Sequence, residues 1–344
     1  MWQIIGQGRA VSLLQRSLET GSLAHAYLFV GPTHAGKMTL ALNLAQALNC
    51  PAEEVPCGQC VACQKIVSGR HADVQIIGLS QDKISSETTR KEIGIDRIRE
   101  IQHVASLPPF EGRHKVFIID GAEFLSTEAA NCLLKTLEEP ADKVVFMLLT
   151  ANERFLPATV VSRCQRVELP PMAVGEVEAA LVQGRGVEAQ QARLLARLSR
   201  GCPGWAVSAL DGALLQRRTE HLDELIDVLG ADCEERFAFA DKLVTIFNQD
   251  RELAQERLNL WLGWWRDLLL VKAGCPDDIV NVDRSAVLAD ISGGYSLGQI
   301  KAFVENIQAA GEQLRQNANP RLALEVLMLN IPEVKECLEG SQAA

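Results

Sequence analysis

The stretch AYLFVGPTHAGKMTLALNLAQAL, residues 26–48, puts an apolar run, a glycine-bearing loop and a helical run in immediate succession. Few folds accept that order. A buried strand that feeds a helix through G-x-x-x-x-G-K makes a phosphate loop, in which backbone N–H groups and the helix N-terminus converge on an anion. Gly31, Gly36 and Lys37 supply the turn, the approach and the neutralising charge. Met38 stands where a serine or threonine hydroxyl normally holds the Mg²⁺ that bridges the terminal phosphates. A thioether offers nothing to a hard cation. Thr39 is one position further, rotated by about 100° around the helix, and is expected to face elsewhere. The bland alternative, an incidental Gly-Lys turn, conflicts with the ordered strand, helix and downstream acid.

Further apolar runs at 74–77 (VQII), 115–119 (KVFII) and 144–149 (VVFMLL) have the continuous character of strands buried on both faces. Helical periodicity separates them, with Ile95, Ile98, Ile101 and Val104 along 94–105 and a second pattern over 126–138. An amphipathic helix carrying Val11, Leu14 and Leu18 precedes the first strand and ends near Gly21. Alternating strands and helices predict an α/β layer with a mainly parallel sheet, finishing near Leu169 before Pro170 and Pro171. No strand signal follows. Residues 173–210 suggest a small helical bundle and 212–338 a larger one. The latter contains LNLWLGWWRDLLL, where Leu258, Trp261, Leu262, Trp265 and Leu269 share a helical face. Core or subunit-contact anchoring is the expected role of these tryptophans, with a base-stacking platform as the alternative.

The run KVFIID ends in Asp120, a plausible outer partner for Mg²⁺. Hydrolysing enzymes of this type usually follow that aspartate with a glutamate that polarises water; here the position is Gly121. Glu123 is two residues on and would need a different backbone path to reach the same spot. Nucleotide binding (ATP or ADP) without turnover is the expectation. The six histidines are dispersed, without a Ser/His/Asp or Cys/His spacing for nucleophilic catalysis.

A net charge of −10 disfavours a freestanding DNA binder driven by bulk electrostatics, without excluding a local basic surface. No run reaches the length of a membrane span, and the N-terminus lacks a charged-then-apolar leader, so a cytoplasmic protein is expected. Ten cysteines in such a setting imply thiols or metal ligands rather than disulfides. Cys50, Cys57, Cys60 and Cys63 are spaced C-x6-C-x2-C-x2-C, a density that suits tetrahedral structural zinc. An iron–sulfur cluster is the rival, although its usual fourth cysteine, three residues on, is missing. The other six cysteines are expected to be buried small residues.

IIGQ at 4–7, HAYLFVGP at 25–32, the four-cysteine insertion, IGIDRIREI at 93–101, AANCLLKTLEEP at 129–140 and SRCQ at 162–165 occur in that order. Together they resemble the bacterial clamp-loader group of AAA+ proteins, closely over residues 1–168 and by length and composition beyond. The resemblance implies an AAA+ α/β domain over 1–169 with its zinc module at 50–63, an all-α lid over 170–211, an all-α collar over 212–338 and a tail at 339–344. It further implies that Arg163 of the SRC motif acts in trans, stabilising charge on a neighbour's γ-phosphate, as a planar, always-charged guanidinium is suited to do. Thr150 and Asn152 match the group's γ-phosphate sensor, and Arg97 and Arg99 either face DNA or are solvated surface charges. The group's motor subunits, gamma and tau, carry a lid arginine in G-x-x-R, where GCPG at 201–204 places Gly204. Losses at Met38, Gly121 and Gly204 resemble its non-motor member, and the long extension typical of tau is absent. The expected partners are gamma/tau and delta subunits in a hetero-pentamer, with the sliding clamp and primer-template DNA reached through the complex. A catalytically active gamma/tau-like ATPase is the main alternative, and a zinc-dependent nucleic-acid module a third.

Overall fold

A computed structural model describes residues 2–79, 92–316 and 318–333, with the side chain of Glu252 also outside the description. The chain divides into two compact units. One comprises residues 1–192 and 199–207, the other 193–198 and 208–344, so residues 170–211 are shared between them.

In the first unit, α1 (Gly8–Glu19) precedes β1 (Ala26–Val30), and α2 (Lys37–Asn49) leaves the phosphate loop. The short α3 (Val61–Val67) and β2 (Val74–Ile77) follow, then α4 (Ile95–Ala105) and β3 (Lys115–Asp120). Next come α5 (Thr127–Glu138), β4 (Val144–Thr150), α6 (Ala158–Val161) and β5 (Gln165–Glu168). The strands form one parallel sheet in the order β2-β3-β4-β1-β5. Alternation sorts their side chains. Tyr27, Phe29, Val116, Ile118 and Met147 pack with Leu14, Leu40 and Leu44 on the α1/α2 face. Ala26, Leu28, Phe117, Ile119 and Phe146 pack with Ile98, Ile101, Leu133 and Leu137 on the α4/α5 face. Two covered faces are why these strands read as unbroken apolar runs. The strand β5 gave no such run, because only Val167 of QRVE is buried on this edge strand.

The connections are built on buried polar side chains. The carboxylate of Asp73 accepts backbone N–H bonds from Phe110, Glu111 and Gly112 at 2.7–2.8 Å. Asn49 Oδ1 accepts those of Arg113 and His114 at 2.8 and 2.9 Å. After β5 the first unit holds α7 (Val174–Arg185), the first residues of α8 (Ala189–Leu198) and nearly all of α9 (Pro203–Ser208), while the rest of α8 belongs to the second unit.

The second unit is helical: α10 (Ala213–Gly230), α11 (Cys233–Gln249), α12 (Arg251–Lys272), α13 (Ser285–Gly293), α14 (Leu297–Arg315) and α15 (Pro320–Leu329). Its core gathers on α12. Trp261 stacks on Phe239 with centroids 5.7 Å apart, and Trp265 tilts against Phe303 at 4.6 Å. The expected α12 face needs correction: Trp264 and Leu268 are fully buried, whereas Leu262 and Leu269 are only partly so. A helix covered on most of its circumference does not confine its apolar residues to one stripe. The run at 232–236 is largely a solvated helix start, as expected. Asp232 caps α11 in a reciprocal box with Glu235, while Arg236 reaches the Leu229 and Ile331 carbonyls.

No helix among the described residues is long and apolar enough to cross a membrane.

Candidate functional site

The phosphate loop is closed on itself. Gly31 donates to the Thr150 carbonyl at 3.2 Å, and a Cβ at Gly31 would lie 2.3 Å from the Leu169 carbonyl oxygen, so only glycine fits between β4 and the exit of β5. Gly36 has φ of +98°, in the region that favours glycine. The Lys37 ammonium donates to the Gly31 and Pro32 carbonyls at 2.7 and 2.9 Å. Burial lowers its pKa, against upward pulls from Glu123 and Asp120. Asp120 moves the other way: burial raises its pKa, Lys37 lowers it and Glu123 raises it. Burial also depresses His34, with the Lys37 charge adding to the effect.

Met38 packs against the core beneath α2, and Thr39 is exposed. The position that holds a metal-binding hydroxyl in working phosphate loops has become a packing position. Gly121 has φ of +73° and turns the chain through Ala122–Phe124, which brings Glu123 back toward the pocket. Glu123 Oε1 accepts the Ala151 N–H at 2.9 Å. From there Glu123 acts electrostatically on Lys37 and Asp120. Thr150 is buried and its Oγ1 accepts the Asn152 N–H at 3.1 Å, while the Asn152 side chain accepts the Arg154 N–H at 3.1 Å. Asn152 thus serves as the cap of the next turn.

Gly204, at the start of α9, lies directly on the loop. Its N–H donates to the His34 carbonyl at 2.9 Å, and a Cβ there would stand 2.7 Å from that oxygen. His34 itself has φ of +64°, a conformation that costs a non-glycine residue about 1 kcal/mol. Cys202 comes near enough to Lys37 to feel its charge, although burial still raises the thiol's pKa.

Cys50, Cys57, Cys60 and Cys63 bring their sulfurs within 4.8 Å of one another. Cys50 Sγ lies 3.5 Å from Cys57 Sγ and 3.8 Å from Cys60 Sγ. Tetrahedral zinc with bonds of about 2.3 Å separates its sulfurs by about 3.8 Å, so the donor set fits. Backbone N–H groups of Cys60 and Cys63 point at the Cys57 and Cys60 sulfurs, at 3.3 and 3.4 Å. Backbone donors at Gln59 and Cys60, with the Cys50 thiol, lower Cys57 to about 6, whereas burial pushes Cys63 up to about 12.

The remaining cysteines correct the expectation of uniform burial. Cys233 and Cys275 are exposed, Cys132, Cys164 and Cys202 are half-buried, and Cys337 lies outside the described residues. Burial pushes the Cys164 thiol up to about 12.

Arg163 follows α6 by two residues. Its guanidinium lies 2.7 Å from the Glu138 carboxylate and donates to the Thr159 carbonyl at 2.9 Å. Arg97 and Arg99 on α4 pair with acids of the same helix, Glu100 at 2.8 Å and Asp96 at 3.5 Å. Sequence reasoning singled out neither His34 nor Glu138. Glu138 sits in the quoted LEEP motif, but nothing in a linear sequence joins it to a residue 25 positions away.

A parallel sheet with a phosphate loop after β1 and an acid ending β3, followed by a helical C-terminal half, defines a P-loop α/β protein. Residues 6–173 match the model of the family described as "DNA polymerase III, delta subunit", and residues 213–333 that of "DNA polymerase III, delta subunit, C terminal". The chain belongs to this DNA polymerase III family. It is 28% identical to the Bacillus subtilis DNA polymerase III subunit delta' over 335 residues, covering 95% of this chain and 96% of that protein. It is 28% identical to the B. subtilis subunit tau over 370 residues, covering 99% of this chain and 62% of tau. Against the gamma/tau subunit of Mycobacterium tuberculosis it is 27% identical, covering 94% of this chain and 59% of the relative. The chain therefore spans about three fifths of these tau-type relatives. Among solved structures, a gamma subunit-related protein of Thermotoga maritima aligns at 20% identity and a TM-score of 0.47, over 92% of this chain and 98% of the other.

Proposed function

We propose that this chain is a delta-prime subunit of a DNA polymerase III clamp loader, a non-motor member that helps open the sliding clamp and place it on primer-template DNA. It would work in a cytoplasmic hetero-pentamer with gamma or tau motor subunits and a delta subunit. Residues 1–169, 170–211 and 212–338 would serve as ATPase-like, lid and collar parts. Motor subunits would turn over ATP, and Arg163 would complete a neighbour's site. Arg97 and Arg99 would exchange their own-helix acids for DNA phosphates. The cysteine cluster would hold zinc as a structural brace.

The disabled pocket carries this reading. Met38 is drawn into core packing, Gly121 replaces a water-activating glutamate, and Gly204 seats its backbone 2.9 Å from the His34 carbonyl. A lid arginine at that position would drive its Cβ to 2.7 Å from the same oxygen. The two-sided coverage of the match to the B. subtilis delta' adds support. Steady-state hydrolysis by the isolated chain is expected to equal that of Lys37→Ala, and light scattering of the chain mixed with motor and delta subunits is expected to show one defined five-subunit species. Turnover that Lys37→Ala abolishes would overturn the assignment.

One observation favours a second reading, an active ATPase with a tolerant site. Glu123 returns to the pocket and acts electrostatically on both Lys37 and Asp120. Hydrolysis by the isolated chain that Glu123→Gln removes would establish it.

A further inference from the structure

Resting on the assignment of Arg163 as the trans arginine, we propose that Glu138 is its parking partner, a carboxylate that a neighbour's phosphate must displace before the arginine can act. Both terminal nitrogens of Arg163 are occupied within its own chain. Nη2 meets Glu138 Oε1 at 2.7 Å, while Nη1 donates to the Thr159 carbonyl at 2.9 Å and lies 3.4 Å from Ser162 Oγ. Recognition of a phosphate by guanidinium uses a pair of parallel N–H groups, the edge that Glu138 and Thr159 hold here. A phosphate that takes this edge in bidentate fashion would have to displace the Glu138 carboxylate from Nη2.

The strength of the hold suits a releasable latch. The two side chains are 35% and 51% exposed, so water and salt screen the pair. Such exposed pairs are worth only about 0.2–1 kcal/mol, which is roughly 1.4- to 5-fold in an equilibrium. Glu138 also closes α5 as its last residue, where a negative charge meets the unfavourable end of the helix dipole. Stability of α5 does not explain the acid there. Arg163, by contrast, has a local structural use, since its bond to Thr159 closes a carbonyl of α6. Glu138 is a positioning residue; it acts on the reaction only through Arg163.

A double-mutant cycle in the reconstituted loader complex tests this, with ATP dependence of steady-state hydrolysis as the readout. Glu138→Gln is expected to lower the half-saturating ATP concentration by about 1.4- to 5-fold, with maximal rate held and melting temperature unchanged. Higher salt should reproduce part of that shift in the wild-type complex and less of it in the variant. In the Arg163→Ala background the Glu138→Gln shift should vanish. An unchanged or raised half-saturating concentration, a lower maximal rate, or an equal shift without Arg163 would each overturn the parking role. Where Arg163→Ala lowers turnover but Glu138→Gln shifts nothing, only the parking role falls. Where Arg163→Ala leaves turnover intact, the trans arginine itself falls and the parking role with it.

Discussion

Asp73 sits at 3% exposure, and its two oxygens are shared among three backbone N–H groups of the loop that leads into β3. Burial would raise its pKa, but the donors from Phe110, Gly112 and Glu111 outweigh that, and the net shift is downward. A carboxylate whose pKa is lower in the folded than in the unfolded state stabilises above its unfolded pKa and loses that contribution as pH falls through the folded value. Asp73→Ala should therefore cost about 2–4 kcal/mol at neutral pH, with the difference from wild type narrowing below about pH 4. Urea melts at both pH values check this. At the pocket, Gly204→Ala should lower the melting temperature, with a cost of about 1–3 kcal/mol, because its Cβ would meet backbone rather than a flexible side chain. The larger Gly204→Arg change should not restore turnover, as measured by phosphate release.

At the scale of elements, the cysteine segment is the one the proposed zinc would brace. It contributes four sulfurs within 4.8 Å and only the short α3 as regular structure. Bound metal would supply the missing cohesion, so chelation should lower the thermal midpoint and release about one zinc per chain by colorimetric assay. Cys60→Ser should lose the metal while leaving the far-UV spectrum of the remaining helices nearly intact. Strands β1, β3 and β4 were legible in the sequence because covering both sheet faces demands unbroken apolar runs. Edge strand β5 was hidden, having a single buried side chain. The four cysteines were legible through spacing, whereas the exposure of Cys233 and Cys275 was not, since composition does not place one at the solvated start of α11 and the other in the connection after α12. Gly121 was read as a deletion of function. Its left-handed φ, which returns Glu123 to the pocket, depends on backbone geometry that one letter does not reveal.

For the whole molecule, the two compact units have different contents. One carries the sheet, the altered phosphate loop, the cysteines and Arg163; the other is a helical core built around Trp261, Trp264 and Trp265. On the proposed assignment the first lends chemistry to a neighbour and the second holds subunits together. Trp265→Ala, deleting a fully buried ring, should cost about 3–5 kcal/mol and reduce assembly before it touches the phosphate loop, a separation that light scattering with ATP-analogue binding resolves. The central claim is that a chain without a working site of its own completes another's. Its most direct test is steady-state ATP hydrolysis by the reconstituted complex containing Arg163→Ala, compared with wild type at equal assembly. A fall of about tenfold or more at the affected site, with the five-subunit species intact, is the predicted result; unchanged hydrolysis by a fully assembled complex would contradict it.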